Sequence, residues 1–170
     1  LYLKIINDLQ PMDLNYFDNL LGFSFQYLTQ IGVKQIHGAY YTPNSFIKNL
    51  YQMFKIKDAP AIDPSCGSGN FLIELLEHIN YKNIYGLEID PLACLITRAN
   101  LTLKTIGKMD VVNQIKNVDS LTVKSFDGFF NKKFSLVVTN PPWGAFLNPK
   151  QKSVYQKNFD QIKSGEIFSY

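Results

Sequence analysis

The sequence predicts an α/β chain: a Rossmann-like, mostly parallel sheet flanked by helices and preceded by an N-terminal helical segment. Three observations carry this reading. Short apolar or β-branched runs alternate with stretches of helical periodicity through the middle of the chain, the pattern of strand–helix units that build parallel sheets. A glycine turn, Cys66-Gly67-Ser68-Gly69, stands between the first run and the first helix, as in the front half of a nucleotide-type unit. Polar residues, namely Asp63, Glu88, Asp119 and Asn140, fall where four of the runs end, and sheets of this kind bind ligands at the carboxyl ends of their strands.

Composition sets the outer limits. A chain of 170 residues supports one domain with a real core. Hydrophobic residues make up 46% and charged residues 18%, an ordinary globular balance. The net charge of +3 permits contact with nucleic acid without arguing for it. Of 17 basic residues only Arg98 is an arginine, so bidentate base reading by arginine is nearly absent. Cys66 and Cys94 form neither a zinc nor a disulfide spacing, which predicts a reduced, cytosolic protein. No run approaches the ~20 apolar residues of a membrane span, and no signal peptide is visible. The chain opens on Leu1 and closes on Glu166-Ile167-Phe168-Ser169-Tyr170 in mid-pattern, which predicts a piece of a longer polypeptide.

Residues 1–36 place Leu3, Ile6, Leu9, Phe17, Leu20, Leu21, Phe25 and Leu28 at helical spacing, with Pro11 dividing two helices. They read as a packing layer or lid without a catalytic grouping. His37-Gly38-Ala39-Tyr40-Tyr41-Thr42-Pro43 breaks the pattern, and Thr42-Pro43 favours an extended step before a helix start. The two tyrosines fit packing in a turn, and His37 a solvated loop. Asn44-Ser45 are placed to cap a helix over 46–54 that shows Phe46, Leu50 and Phe54 on one face.

A strand over 59–62 runs into Asp63-Pro64-Ser65-Cys66-Gly67-Ser68-Gly69-Asn70-Phe71, and a helix follows with Phe71, Leu72, Leu75, Leu76 and Ile79 in phase. The glycines let backbone approach a ligand, and the helix start offers free N–H groups. The third glycine of a pyrophosphate site is missing, and Asp63 at the loop entrance would repel phosphate. A carboxylate there suits a cationic group such as an amino acid's ammonium. A generic glycine turn is the plain alternative. The second strand, 84–91, ends in acid. Glu88 lies about 20 positions after the glycines, where such folds hold a ribose diol. Otherwise Glu88 is a surface charge and Asp90-Pro91 simply caps the next helix.

That helix, 92–106, carries Leu92, Leu95, Ile96, Ala99, Leu103 and Ile106 on one side, with Cys94 a small core residue. A third strand over 111–118 ends in Asn117-Val118-Asp119-Ser120. Asp119 is placed to accept from the exocyclic amine of an adenine, although Asp-Ser is also a common turn. The fourth strand, 134–139, ends in Asn140-Pro141-Pro142-Trp143. Neither proline has an N–H to extend the ladder. The stiff loop offers one amide, the Pro141 carbonyl and an indole face, a set that suits a flat heterocycle bearing an amino group. Asn-Pro-Pro is also an ordinary turn signal, and a lone Trp also suits a core. Residues 144–165 hold Lys150, Lys152, Lys157 and Lys163 among Phe146, Tyr155 and Phe159. They fit a mobile loop touching phosphates or a solvated, disordered one.

In this order the motifs resemble the amino-methylating, S-adenosylmethionine-dependent DNA methyltransferases of the N6-adenine class. The subgroup includes modification subunits of type I restriction systems and fused restriction–modification polypeptides. The resemblance covers about residues 15–170. It implies cofactor contacts from Tyr40, Tyr41 and Thr42, from the loop residues Asp63, Ser65, Cys66, Gly67, Gly69, Asn70 and Phe71, from Glu88 and Ile89, from Asp119 and Ser120, and from Asn140. It implies Asn140, Pro141, Pro142 and Trp143 as the catalytic tetrapeptide, with no metal. The expected organisation is a helical segment, 1–36, and an incomplete methyltransferase domain, 37–170, lacking further strands and the target-recognition region. The implied location is the prokaryotic cytoplasm. DNA is the implied partner, through the full-length protein or a specificity region, together with a restriction or specificity subunit and no membrane. Two alternatives stay open: methylation of a protein glutamine or RNA base, and a cofactor-binding fragment inactive without its C-terminal region.

Overall fold

The computed structural model describes residues 42–122, 133–142 and 149–158. The expected helices of 1–36, together with Tyr40, Tyr41 and Trp143, lie outside the described residues.

Helix α1 (Asn44–Gln52) starts earlier than the sequence pattern suggests. Pro43 is its N-cap, with no side-chain cap bond; the Pro43 carbonyl accepts from Phe46 N and Ile47 N instead. Its inner face is also different. Ile47 and Tyr51 are buried, whereas Phe46 and Phe54 are 56% and 62% exposed. The cause is the Tyr51 hydroxyl, which donates to the Phe71 carbonyl at 3.1 Å. Tyr51 also meets the Phe71 ring edge-on, and this contact selects the Ile47/Tyr51 stripe for the core.

Four parallel strands follow: β1 (Ala61–Asp63), β2 (Ile84–Glu88), β3 (Ile115–Asn117) and β4 (Leu136–Val137). Their order is β3-β2-β1-β4, and all three pairings are parallel. Strands β1 and β2 are buried at every position, as strands covered on both faces must be. Helix α2 (Asn70–Leu75) buries Phe71, Leu72, Ile73 and Leu75. Helix α3 (Pro91–Lys104) begins with proline in its first turn. Its N-cap Asp90 accepts from Leu92 N at 2.7 Å and Ala93 N at 3.0 Å.

Three expectations are corrected. In α3 the buried residues are Ala93, Cys94, Thr97, Asn100 and Leu101, while Leu92, Leu95, Leu103 and Ile106, expected inside, are exposed. The region expected as a single strand over 111–118 is a 3-10 helix (Met109–Gln114) followed by the short β3. Val111, fully buried, anchors that turn as a single side chain, so the β-branched pair there does not extend. The lysine-bearing stretch expected as a loop contains helix α4 (Pro149–Asn158). There Tyr155, 3% exposed, faces inward.

The main core lies between the sheet and helices α1 to α3, built on Ile47, Leu72, Leu75, Ile84, Leu101 and Ile115. Ile62, Tyr85 and Leu87 form a smaller cluster joined by Phe134. The fold class is the predicted one, with every described strand running the same way.

Candidate active site

Because the strands are parallel, Asp63, Glu88, Asp119 and Asn140 leave the sheet at one rim. Asp63 pairs in register with Gly86, two residues before Glu88. Glu88 pairs with Asn117, two before Asp119. Ile62 pairs with Val137, three before Asn140.

The glycine loop is tied to this rim from two sides. Cys66 N donates to the Leu87 carbonyl at 2.9 Å. Gly67 N donates to Glu88 Oε2 at 2.7 Å, and Asp90 N donates to Glu88 Oε1 at 2.8 Å. Glu88 is only 9% exposed, so it is no solvated surface charge; Asp90 alone performs the capping. From α3, Thr97 Oγ1 donates to the Gly67 carbonyl at 2.6 Å and Asn100 Nδ2 to the Ser68 carbonyl at 3.1 Å. Both turn glycines adopt positive φ, +55° at Gly67 and +90° at Gly69. At Gly69 a Cβ would stand 2.9 Å from Thr97 Cγ2, whereas at Gly67 nothing lies within 4 Å. The loop is therefore clamped at Gly69 and open at Gly67, as a backbone cradle for a ligand requires.

Asp63 lies beneath the loop rather than on it, 1% exposed. Its Oδ1 accepts from Ser65 N at 3.0 Å. Burial pushes its carboxyl up to about 7, the Glu88 charge adding to that and the bonds from Ser65 and Thr139 opposing it. Burial also raises Glu88, against the N–H groups of Asp90 and Gly67 that hold its charge. Ser65 Oγ and Thr139 Oγ1, 2.6 Å apart, join the loop to the end of β4. The Cys66 side chain is buried, and burial raises its thiol well above the ordinary range. Only its backbone faces the loop's work.

Asn140 Nδ2 donates to Thr42 Oγ1 at 3.1 Å, which directs the opposite face of the amide away from Thr42. Asn70 Nδ2 reaches the Thr42 carbonyl at 3.4 Å, and Asn70 Oδ1 is buried with no partner among the described residues. Pro141 and Pro142 are exposed. A groove of about 510 Å³ runs along β4 to Thr42 and Asn140, with Phe46, Leu50 and Phe71 among its apolar walls. Phe71 is 8% exposed and belongs mainly to the core. At the end of β3, Asn117 Nδ2 donates to the carbonyls of Glu88 and Ile89. Asp119 Oδ1 accepts from Leu121 N and Oδ2 from Tyr155 OH. Ile89 is exposed at the same rim, and Ser120 is half-buried beside Asp119.

The sequence singles out neither Thr97 nor Asn100, and offers Thr139 only as a strand residue and Tyr155 only as an aromatic among lysines. The available signal was Thr97 and Asn100, two polar residues three apart and so on one face of the helix.

Residues 19–165 match the family model for N-6 DNA methylase. The type I restriction enzyme MjaIX methylase subunit of Methanocaldococcus jannaschii is 33% identical over 116 residues, which are 64% of this chain and 19% of that protein. The type II methyltransferase M.VspI of a Vibrio species is 33% identical over 124 residues, 70% of this chain and 28% of that protein. Among solved structures, a DrdV–DNA complex superposes with a TM-score of 0.70 at 17% identity, over 91% of this chain and 20% of that one. A modification subunit from Vibrio vulnificus superposes with a TM-score of 0.61 at 19% identity, over 86% of this chain and 31% of that one. The structural likenesses establish the fold. The matched part of the chain spans 19% to 31% of the length of these relatives.

Proposed function

The chain belongs to the N-6 DNA methylase family, and on that premise we propose that it forms the cofactor-binding and catalytic part of an enzyme that methylates the N6 amino group of adenine in DNA. The setting we infer is a restriction–modification system, with DNA and a specificity or restriction subunit as partners. The supporting observation is the shared rim: Glu88 grips the glycine loop on one flank of β1, and Asn140, oriented by Thr42, stands on the other.

S-adenosylmethionine, when bound, supplies an electrophilic methyl group on a sulfonium. The residues present fit such a molecule. Gly67 leaves open space over its backbone. The Glu88 carboxylate accepts from the N–H groups of Gly67 and Asp90, one on each oxygen, and from that of Ile89. Of about four lone-pair sites on a carboxylate, one is left for a ribose hydroxyl. Asp119 at the next strand end is assigned to the adenine amine. Asp63 gives the pocket negative potential from below and holds Ser65 in place.

At the other flank, the Asn140 side-chain oxygen and the Pro141 carbonyl accept the two hydrogens of the target amine. Those bonds draw the nitrogen toward tetrahedral geometry and free its lone pair to face the cleft. Trp143 is assigned to stack on the base, which must leave the duplex to arrive there. Rate enhancement of this kind comes from positioning and fixed dipoles; no tuned general base is assigned.

The test is methyl transfer to duplex DNA by the full-length protein. Asn140→Ala is expected to cut the rate by about 10²- to 10³-fold, the cost of losing one aimed polar group. An unchanged rate overturns the mechanism. Transfer to RNA or a protein glutamine in place of DNA overturns the substrate.

A further inference from the structure

The stretch that holds helix α4 was expected as a mobile loop touching phosphates beside the active site or as a solvated one, yet Tyr155, its deeply buried side chain among the described residues, ends on a rim carboxylate. Tyr155 OH donates to Asp119 Oδ2 at 2.7 Å, across a separation of 36 residues. The other oxygen, Oδ1, accepts from Leu121 N at 3.0 Å. Thr122 fixes the backbone beneath, its N–H and hydroxyl both donating to the Asp119 carbonyl. Among the described residues the carboxylate is thus held by one donor on each oxygen. About four lone-pair sites are present on an ionised carboxylate, so one site per oxygen remains.

We infer that Tyr155 is a positioning residue for the donor's adenine ring: its hydroxyl locks Asp119 so that the carboxylate's remaining lone pairs meet the exocyclic amine. The inference rests on the methyltransferase reading above and adds to it a residue outside every motif that carries the resemblance. The chemistry is consistent on both sides of the bond. Burial, reinforced by Asp119, pushes the Tyr155 phenol up to about 12, so it stays a donor across the physiological range. Without Tyr155, Leu121 N is the carboxylate's one donor among the described residues, and a single bond leaves it free to turn about its last torsion. Fixing it beforehand removes that entropy loss from the binding step. The ring of Tyr155 does the packing, and the hydroxyl does the orienting; the two roles separate by experiment.

Calorimetric affinities of the full-length protein for S-adenosylhomocysteine and for its analogue lacking the 6-amino group make the test. Tyr155→Phe keeps the ring and is expected to weaken S-adenosylhomocysteine by roughly tenfold or more, the scale of one hydrogen bond to a charged group. The analogue, having no amine for Asp119 to accept from, is expected to change by no more than about twofold, the margin within which independent effects add. Its retained affinity also certifies that the variant is folded. In an Asp119→Ala background, Tyr155→Phe is expected to add nothing. Equal loss of both ligands, or losses that add in the double variant, overturn the inference and leave Tyr155 as packing. A wild-type protein that binds neither ligand overturns the methyl-donor reading itself, and the inference with it.

Discussion

At the scale of single residues, Asp63 has the most testable chemistry. Its carboxyl is raised from the usual 3.8 to about 7 by burial. The unfolded chain therefore loses this proton near pH 4, while the folded chain keeps it to about pH 7. Between those values the folded state holds more protons, so stability falls as pH rises through the window. Each unit of displacement corresponds to ~1.4 kcal/mol. Asp63→Asn is expected to flatten the pH dependence of chemical denaturation from pH 4 to 7; a curve as steep as that of the native chain overturns the assignment. A cationic ligand reverses the sense, because only the ionised form attracts it. Affinity for S-adenosylmethionine is expected to rise from pH 6 to 8 in the native protein and to stay level in Asp63→Asn, as isothermal titration across that range would reveal. The sequence located this acid but not its depth. Position at a strand end is written in the run of apolar residues before it, whereas its burial under the loop depends on Ser65 and Thr139, which come from distant parts of the chain.

At the scale of elements, α3 shows where sequence periodicity misleads. Hydrophobicity alone turns Leu92, Leu95 and Leu103 inward, yet the helix buries Thr97 and Asn100 and leaves those three in solvent, while Ile106 falls beyond the helix end. The two polar residues go inside because the carbonyls of Gly67 and Ser68 need donors there, and an unpartnered buried carbonyl costs more than an exposed leucine. A site requirement thus sets the rotation of a whole helix, which no periodicity count registers. Thermal unfolding gives the check. Leu101→Ala, at a fully buried position, is expected to cost about 2–5 kcal/mol, and Leu95→Lys no more than about 0.5 kcal/mol. The reverse ranking sinks this orientation of α3. The glycine turn gives a second contrast: Gly69→Ala strains φ +90° and collides with Thr97, an expected loss on the order of 2–3 kcal/mol. Gly67→Ala, with open space around it, is expected to lose about 1 kcal/mol in stability, the cost of a side chain at positive φ, and to hinder the ligand instead.

At the scale of the molecule, alternating strand and helix signals were enough to imply a parallel sheet and one functional rim. The strand order β3-β2-β1-β4 was not legible, since pairing of β4 with β1 joins residues some seventy positions apart and no local pattern encodes it. Helix α4 meets the rim at the β3 side, the edge opposite β4. Tyr155 fastens α4 to Asp119, and Lys150 and Lys157, both exposed, lie seven residues apart and so share a face. The helical phase sets that face roughly opposite Tyr155. If the rim presents DNA to Asn140, these ammonium groups are spaced for the phosphate backbone, and each phosphate they neutralise releases condensed counterions. The dependence of log affinity on log salt for duplex DNA then has a slope near −0.9 per contact. Replacing both lysines with glutamine is expected to make the slope shallower by about 1.8 and to weaken all duplexes alike, because phosphates carry no sequence information. The rate at saturating DNA should be unchanged, since neither side chain reaches the reacting amine. A slope that does not move places the nucleic acid elsewhere on the protein, and a rate that falls at saturation gives α4 a part in the chemistry.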